Sequence, residues 1–246
     1  MSEVINTMNK FIHSFVADHI IYQSEFVKNW WEEQAWQKNK PFNVIKNAVD
    51  LNEFYPNSVN SLTRVICLEG TLDYSPYAIN LINKLNDRLK KYSIPFEVYG
   101  QIKFTSEMEK LSKDVRYLGI VTRESLPEIY QNSIYLSLDI NAACPNTVIE
   151  SLACGSPVVG YDTGALKELV DEKSGEIVFY NNNKWKIIEP DLDNLERAIL
   201  KVVGNYKEYS LSARKNAEDN FDMNIMIADY LKVFNDFRSD KMIYKK

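Results

Sequence analysis

The sequence predicts an α/β protein whose main part is a doubly wound parallel sheet, preceded by a small N-terminal α/β unit and followed by a helical C-terminal region. Short apolar runs alternate with helical patterns from residue 64 onward, which is typical of a parallel sheet with helices on both faces. Gly70, Gly100 and Gly119 each follow a predicted strand directly, where the backbone turns sharply or a ligand approaches closely. The predicted strands are residues 64–69, 96–99, 115–118, 133–138, 158–160 and 175–178.

The N-terminal unit begins with a predicted amphipathic helix. Residues 1–16 carry apolar side chains at every third or fourth position, which describes one helix face that needs a partner. A short strand at 18–22, a helix capped by Ser24 and a second strand at 41–47 follow. Because two strands are too few for an independent sheet, we expect this unit to pack on the rest of the chain or on another chain.

A polar segment separates the two units. The stretch DLNEFYPNSVNS at residues 50–61 is rich in turn formers, and Pro56 breaks any helix there, so we interpret it as a linker. Residues 1–55 then form the N-terminal unit, and residues 56–246 form the main domain. We expect the last helix, at about 222–238, to pack back on the N-terminal unit. The three helices predicted at the C-terminus are 191–203, 206–221 and 222–237.

The main domain is organised around residues 137–170. Here a loop closed by Pro145 leads into a helix predicted at 146–154, and an apolar strand and a turn at Gly164 lead into the next helix. In a parallel sheet both turns lie at the carboxyl ends of the strands, so the two helix starts should face one crevice. Unpaired backbone N–H groups and a positive dipole end make such a crevice suitable for a phosphate-bearing ligand.

Composition and charge exclude several classes of partner. The chain has 246 residues, of which 45% are apolar and 26% charged, as in a globular protein. Its net charge of −5 comes from 34 acidic and 29 basic side chains with no long basic run, so nucleic acid is not an expected partner. The first residues carry polar side chains in every helical turn, so neither a signal peptide nor a spanning helix fits, and we expect at most peripheral membrane contact.

The cysteines indicate a reducing environment. Cys67, Cys144 and Cys154 are an odd number without CxxC spacing, which argues against a disulfide framework or a zinc site. We therefore expect reduced thiols in a cytoplasmic protein. Asp191-Leu192-Asp193 spells the metal-binding pattern DxD, but it directly precedes an amphipathic helix, and an N-cap with first-turn acids is the favoured interpretation. We predict neither a metal nor a cofactor.

Glu150 is the leading candidate for ligand binding on spacing alone. It lies one turn into the helix predicted at 146–154, where its carboxylate could accept hydrogen bonds from two vicinal hydroxyls, such as those of a ribose. The amides of Asn146 and Thr147 could then serve phosphate oxygens. A glutamate that only favours the helix dipole is an equally good explanation, and spacing leaves both open.

The stretch CPNTVIESLACGSPVVGYDTGALKELV resembles the nucleotide-sugar signature of the retaining GT-B glycosyltransferases, which have two Rossmann-like halves. In that family an acidic residue, seven others and a glutamate on an LEAxACGxPV helix precede a GGxxE turn. The segments ADHIIYQSEFVKNW, FNVIKNAVDLNEFYP and VRYLGIVTRESLPEIYQNSIYLSL resemble further parts of the family. The resemblance covers nearly the entire chain and implies a Rossmann-like donor half behind a truncated N-terminal, acceptor-binding half.

The resemblance also implies roles for individual residues. Glu150 would hold the ribose of a nucleoside diphosphate sugar, and Gly119 and Ile120 would border the base. The helix start after Pro145 would touch the diphosphate or the sugar. No catalytic residue is assigned, and the acceptor is unknown. The positions that match the donor site are Pro145, Asn146, Thr147, Glu150, Gly70, Thr71, Gly119, Ile120 and Glu168, the last in the GGxxE position.

The chain departs from the family pattern at three charged positions. Ala142 stands where the family has the first acidic residue, and Thr71 and Pro76 stand where it has an arginine and a lysine that neutralise the diphosphate. Each lost charge-assisted contact would be worth about 1.5–3 kcal/mol. The cations that could replace them are Lys46, Arg123 and Lys103.

Two functional hypotheses from different classes follow. The first is a metal-independent hexosyltransferase that acts with retention, alone or with a partner. The second is a non-catalytic donor-half module, in which the N-terminal unit and an aromatic surface bind a partner subunit that supplies the missing half. A sugar-nucleotide epimerase of similar architecture is a third, weaker alternative. The aromatic surface would contain Trp30, Trp31 and Trp36.

Overall fold

A computed structural model of the chain describes residues 2–35, 40–57, 61–74, 77–181 and 185–243. Trp36 and Pro76 lie outside the described residues. In the N-terminal unit, α1 (Ser2–Phe11) continues as a π-helical turn, and a separate two-stranded parallel sheet pairs β1 (Ile20–Tyr22) with β2 (Phe42–Val44). Between these strands lies α2 (Glu25–Gln34), whose first turn is capped by Ser24 as predicted, since the Ser24 hydroxyl accepts a hydrogen bond from the Val27 amide.

The main body is a six-stranded parallel sheet in the order β5-β4-β3-β6-β7-β8. All the strands predicted from residue 64 onward are present, and the α/β class with a doubly wound parallel sheet is confirmed. The order reverses between β3 and β6, which is where ligands bind in such sheets. The strands are β3 (Arg64–Thr71), β4 (Phe96–Gln101), β5 (Arg116–Gly119), β6 (Ser133–Ser137), β7 (Val158–Tyr161) and β8 (Gly175–Val178).

Helices cover both faces of this sheet. Consecutive residues of β3 alternate between two cores: Val65 packs on the side of α3 and α8, whereas Ile66 packs on the side of α5, α6 and α9. Both residues are fully buried. The remaining helices are α3 (Ala78–Lys90), α4 (Thr105–Lys110), α5 (Leu126–Tyr130), α6 (Asn146–Ala153), α7 (Leu166–Leu169), α8 (Leu192–Gly204), α9 (Tyr206–Asn220) and α10 (Met223–Ile243).

Backbone hydrogen bonds join the segment after β2 to the junction between α9 and α10. The Val49 amide donates to the Phe221 carbonyl at 2.9 Å, and the Met223 amide donates to the Val49 carbonyl at 3.2 Å, so the start of α10 pairs with the segment after β2. Phe54, inside the predicted linker, is fully buried in the core on the α6 side. Val49 and Phe54 are therefore packed against the rest of the protein. The domain boundary at residue 55 stays a prediction.

All three cysteines are buried and free. Asp191 caps α8, with its carboxylate accepting hydrogen bonds from the Asp193 and Asn194 amides, so this DxD sequence serves as an N-cap as interpreted. Trp31 stacks on His13 with ring centroids 5.6 Å apart and thus packs inside the N-terminal unit. Within the described part of the chain, no helix has the length and apolar character needed to cross a membrane.

Candidate functional site

The turns after β6 and β7 lie against each other, as the sequence predicts for one crevice at the carboxyl ends of the strands. The Asn141 amide donates to the Thr163 hydroxyl at 3.0 Å, and the Ala165 amide donates to the Ala142 carbonyl at 2.9 Å. Gly164 adopts a φ of +60°, and a Cβ there would lie 2.5 Å from the Ala142 carbonyl oxygen. Only glycine allows this approach, so the contact fixes the loop that leads into α6.

The first turn of α6 forms one part of the crevice. Pro145 is its N-cap, no side chain caps the first amides, and the first turn holds no acidic residue. This leaves the positive end of the helix without a carboxylate from its own first turn. The side chains of Asn146 and Thr147, in this first turn, are each hydrogen-bonded to a residue outside α6. Asn47 Nδ2 donates to Asn146 Oδ1 at 2.8 Å, and the Tyr135 hydroxyl lies 2.9 Å from the Thr147 hydroxyl.

Glu150 is buried one turn further along α6, with only 8% of its side chain exposed. Arg123 Nη1 donates to Oε1 at 3.3 Å, and the Tyr130 hydroxyl donates to Oε2 at 3.5 Å. Burial raises the pKa of the Glu150 carboxyl, and the Arg123 guanidinium and the Tyr130 hydroxyl oppose that rise. The carboxylate therefore has a cation beside it and lone pairs left over for further donors.

The carboxyl ends of β3 and β5 leave room for a ligand at two glycines. A Cβ placed on Gly70 or on Gly119 would meet no atom within 4 Å. Gly119 has a φ of +73°, a conformation that L side chains rarely adopt. Ile120 beside it is 73% exposed, and Thr71 beside Gly70 is half-buried. The backbone at Gly70 and at Gly119 thus has open space beside it at the carboxyl ends of β3 and β5.

A buried carboxyl group that the sequence patterns did not single out lies next to Gly70. Glu69 Oε1 accepts hydrogen bonds from the Leu138 amide at 3.2 Å and from the Tyr135 hydroxyl at 3.5 Å. Burial, followed by the charge of Asp139, raises the pKa of Glu69 to about 8. Glu69 is therefore mostly protonated at neutral pH. A single acidic residue in the apolar run RVICLEG is the sequence signal that could have identified it.

Glu168 lies at the contact between the sheet domain and the N-terminal unit. Its two carboxylate oxygens accept hydrogen bonds from the Glu25 and Phe26 amides at 2.8 and 2.7 Å. Lys46 Nζ donates to the Glu168 carbonyl at 2.6 Å. The carboxylate thus stabilises the first turn of α2, where a negative charge is favoured. A donor-binding role for Glu168 stays a prediction.

The three candidate replacement cations occupy different surroundings. Arg123 pairs with Glu150 at the edge of the crevice. Lys46 is engaged by the Glu168 carbonyl and lies 5.7 Å from the centroid of the Phe221 ring. Lys103 is exposed, and its backbone amide donates to Asp73 at 2.7 Å. Of the three, Arg123 contacts a predicted donor-site side chain.

Residues 69–220 match the family profile described as glycosyl transferases group 1. This match covers more than half of the chain. The chain belongs to the glycosyl transferases group 1 family. All the predicted donor-site positions, from Gly70 to Glu168, lie inside the matched range, and so do Glu69, Arg123 and Tyr130. A comparison with curated proteins finds no match.

Solved structures show the same fold as this group 1 family member at low identity. Sucrose-phosphate synthase from Thermosynechococcus elongatus is similar with a TM-score of 0.74 at 16% identity, over 97% of this chain and 62% of that one. Alr3699/HepE of Anabaena, solved with UDP and glucose, gives a TM-score of 0.74 at 16% identity, over 96% of this chain and 68% of that one. A GtfA/B complex gives 0.68 at 16% identity, over 94% and 48%. The chain thus spans about half to two thirds of these structures, which support a GT-B fold.

Proposed function

We propose that this chain is the donor-binding half of a glycosyltransferase, which binds a nucleoside diphosphate sugar in the crevice and transfers its sugar with retention of configuration. The observation that carries the proposal is Glu150, a buried carboxylate with lone pairs left for further donors on α6, inside the range that matches the family profile. The presence of UDP and glucose in the Anabaena structure, which has the same fold, supports a nucleotide sugar as the ligand.

In this proposal each part of the crevice serves one part of the donor. Glu150 accepts hydrogen bonds from the two ribose hydroxyls, and the open backbone at Gly119 and Ile120 borders the base. The uncapped first turn of α6, at Asn146 and Thr147, faces the diphosphate. Gly70 and Thr71 lie beside the phosphates on the other side. The role of the protein in catalysis is then to position the donor and to stabilise the charge of the leaving diphosphate.

Calorimetric titration tests donor binding directly. UDP, GDP and their glucose conjugates are titrated into the wild-type chain, Glu150→Gln and the exposed control Glu172→Gln. We expect one nucleotide to bind the wild type and Glu172→Gln with the same affinity, and Glu150→Gln to bind at least tenfold more weakly, because an amide accepts fewer hydrogen bonds than a carboxylate. Absence of binding at about 1 mM nucleotide would contradict a donor site.

Product analysis tests whether the configuration is retained, and assays in excess chelator test whether the reaction is metal-independent. Donor hydrolysis or transfer followed by proton NMR shows the anomeric configuration before mutarotation, and we expect the α-configuration of the donor to be kept. Activity that persists in excess chelator would support the metal-independent chemistry we propose. An inverted product would overturn the retaining assignment, and loss of activity that added Mg²⁺ restores would overturn the metal-independent one.

A second candidate function is a non-catalytic module that binds a partner subunit carrying the acceptor half. One observation favours it: the helix that opens the N-terminal unit presents apolar side chains to solvent. The GtfA/B complex among the similar structures is an assembly within this fold. Sugar transfer by the isolated chain to a simple acceptor would overturn the module hypothesis, whereas donor binding without transfer would support it. The exposed apolar residues are Met8, Phe11, Ile12, Phe15 and Val16.

A further inference from the structure

Arg123 connects three separate parts of the chain at the edge of the crevice. Its Nη1 atom lies 3.3 Å from Glu150 Oε1, and its Nη2 atom lies 3.2 Å from Glu53 Oε2. The guanidinium also lies over the Phe54 ring, 5.3 Å from the centroid. Glu53 and Phe54 lie in the segment predicted as a linker, Arg123 follows β5, and Glu150 is on α6. One side chain therefore joins the segment between the two units to the proposed ribose carboxylate.

The burial of the two carboxylates differs. The Glu150 side chain is 8% exposed, whereas that of Glu53 is 39% exposed and that of Arg123 is 58% exposed. Water stabilises Glu53 whether or not Arg123 is present, but Glu150 depends on its partners to stay ionised. The groups whose charge or hydrogen bonding acts on Glu150 are Arg123 and Tyr130, which favour the ionised form, and Glu53, which disfavours it. Burial, followed by the charge of Glu150, raises the pKa of the Cys154 thiol at the C-cap of α6.

Ionisation decides what Glu150 can accept. An ionised carboxylate has about four lone-pair sites and no donor, whereas a protonated one gives up part of that capacity to an O–H. Arg123 and Tyr130 take one site on each oxygen. One further site on each oxygen is then left for a pair of vicinal hydroxyls.

We propose that Arg123 is a positioning residue, which keeps Glu150 ionised and oriented for the ribose hydroxyls and is itself held in place by Glu53 and Phe54. The inference rests on the proposed function, because it names what prepares the same nucleotide site. Arg123 acts on the ribose through Glu150 and does not contact the diphosphate. This separates it from the arginine of the family's first loop, whose position is taken here by Thr71.

The test compares ligands that differ at one hydroxyl. UDP and 2′-deoxy-UDP are titrated by calorimetry into the wild type, Arg123→Gln, Arg123→Lys and the control Arg197→Gln, which removes the same charge from the exposed surface of α8. At pH 6 we expect Arg123→Gln to bind UDP about tenfold more weakly than the control, but 2′-deoxy-UDP, which keeps one of the two hydroxyls, only about threefold more weakly. Arg123→Lys should recover part of the loss, because it keeps the charge but not the planar fork.

The pH profile gives a readout that a merely structural role would not change. Arg123 counteracts the effect of burial on the pKa of Glu150, so that pKa should rise when Arg123 is removed. The affinity of Arg123→Gln for UDP should then recover as the pH is raised from 6 to 8, while the wild type changes less. An equal loss for both nucleotides would show that Arg123 contacts the phosphates or the base, and tighter binding by Arg123→Gln would show that Arg123 blocks the site. Either result overturns the inference.

A second measurement needs no ligand. Carbon-13 NMR titration of labelled glutamate carboxyls, with the Glu150 signal assigned by its loss in Glu150→Gln, should show a higher pKa in Arg123→Gln than in Arg197→Gln. An unchanged pKa overturns the inference even if nucleotides bind. If the wild type binds neither UDP nor GDP, the proposed function fails, and this titration still decides whether Arg123 controls the charge of Glu150.

Discussion

Two glutamates on opposite sides of the same crevice are in contrasting electrostatic environments. On the α6 side, buried Glu150 has a guanidinium partner and a hydroxyl donor. On the β3 side, Glu69 is buried beside another acidic residue, Asp139, and within the described residues no lysine or arginine pairs with it. Burial raises the pKa of both groups, but only on the α6 side does a cation oppose the rise.

The difference shows how the protein can hold two carboxyl groups near an anionic ligand. Glu150 is stabilised as a carboxylate and is suited to accept hydrogen bonds from hydroxyls. Glu69 is mostly neutral at pH 7, because its pKa is raised to about 8, and so it adds little repulsion to a bound diphosphate. In the proposed function the α6 side would therefore bind the ribose hydroxyls, while the β3 side carries a mostly neutral carboxyl group close to Thr71.

Removing the Phe54 ring, which packs against the α6 side, should have the largest effect on the free energy of unfolding. Phe54 is fully buried, and its ring packs 6.5 Å from Tyr130 and beneath Arg123. We expect Phe54→Ala to lower the free energy of unfolding by about 3–5 kcal/mol. Tyr55→Ala, which removes the neighbouring ring that is 53% exposed, is the matched control and should cost less than about 1 kcal/mol. Urea denaturation measures both, and equal losses would mean that Phe54 does not support this side.

The charge state of the β3 side should appear as a pH dependence of stability. The Glu69 carboxyl has an ordinary pKa of 4.5 and a folded pKa of about 8. Between these values the folded state keeps a proton that the unfolded state releases, so the stabilisation is complete below about pH 4.5 and is lost as the pH rises to about 8. Its contribution to the slope is about −1.4 kcal/mol per pH unit.

Glu69→Gln should remove that slope, because the amide stays neutral and its oxygen can still accept from the Leu138 amide. The variant should therefore gain on the wild type by about 1.4 kcal/mol for each pH unit between 5 and 8. Glu172→Gln at an exposed position should leave the profile unchanged. Parallel profiles for Glu69→Gln and the wild type would show that Glu69 is ionised in the folded protein.

Placing a cation on the β3 side should increase the affinity for UDP. Thr71→Arg places a guanidinium where the family has one, and a charge-assisted hydrogen bond of about 1.5–3 kcal/mol should tighten UDP binding by about tenfold or more. Uridine, which has no phosphate, should bind with unchanged affinity. Thr105→Arg, at an exposed position on α4, controls for net charge. Equal gains for UDP and uridine would place Thr71 away from the diphosphate.

Local sequence patterns predicted the strands and the helix that position this site. Alternating apolar runs located the parallel strands, and the proline, glycine and glutamate spacing placed Glu150 on α6 beside the turn at Gly164. These features depend on residues close together in the chain, where periodicity and turn chemistry are informative. The range that matches the family profile, residues 69–220, includes α6.

Partners of the charged groups could not be predicted, because they come from distant positions. Arg123 is 27 residues from Glu150, and the Glu25 amide is 143 residues from Glu168. No periodicity relates such pairs, since only the three-dimensional fold brings them together. The same limit applies to Phe54, which lies in a polar stretch that reads as a linker although its ring is fully buried. The sequence therefore located Glu150 and Glu168 but not the groups that bind them, and it did not single out Glu69.

The smallest expected effect concerns Glu168. A substitution there distinguishes a role in donor binding from a role in the contact between the N-terminal unit and the sheet domain. Both of its oxygens accept α2 amides in this structure, so Glu168→Gln should weaken the cap of α2 by about 1 kcal/mol. Hydrogen exchange at the Glu25 and Phe26 amides should then be about fivefold faster, because local opening sets that rate. UDP affinity should change less than twofold, and Glu172→Gln should alter neither quantity. If UDP affinity instead falls tenfold while exchange is unchanged, Glu168 belongs to the donor site, and the α6 side extends to the turn after β7.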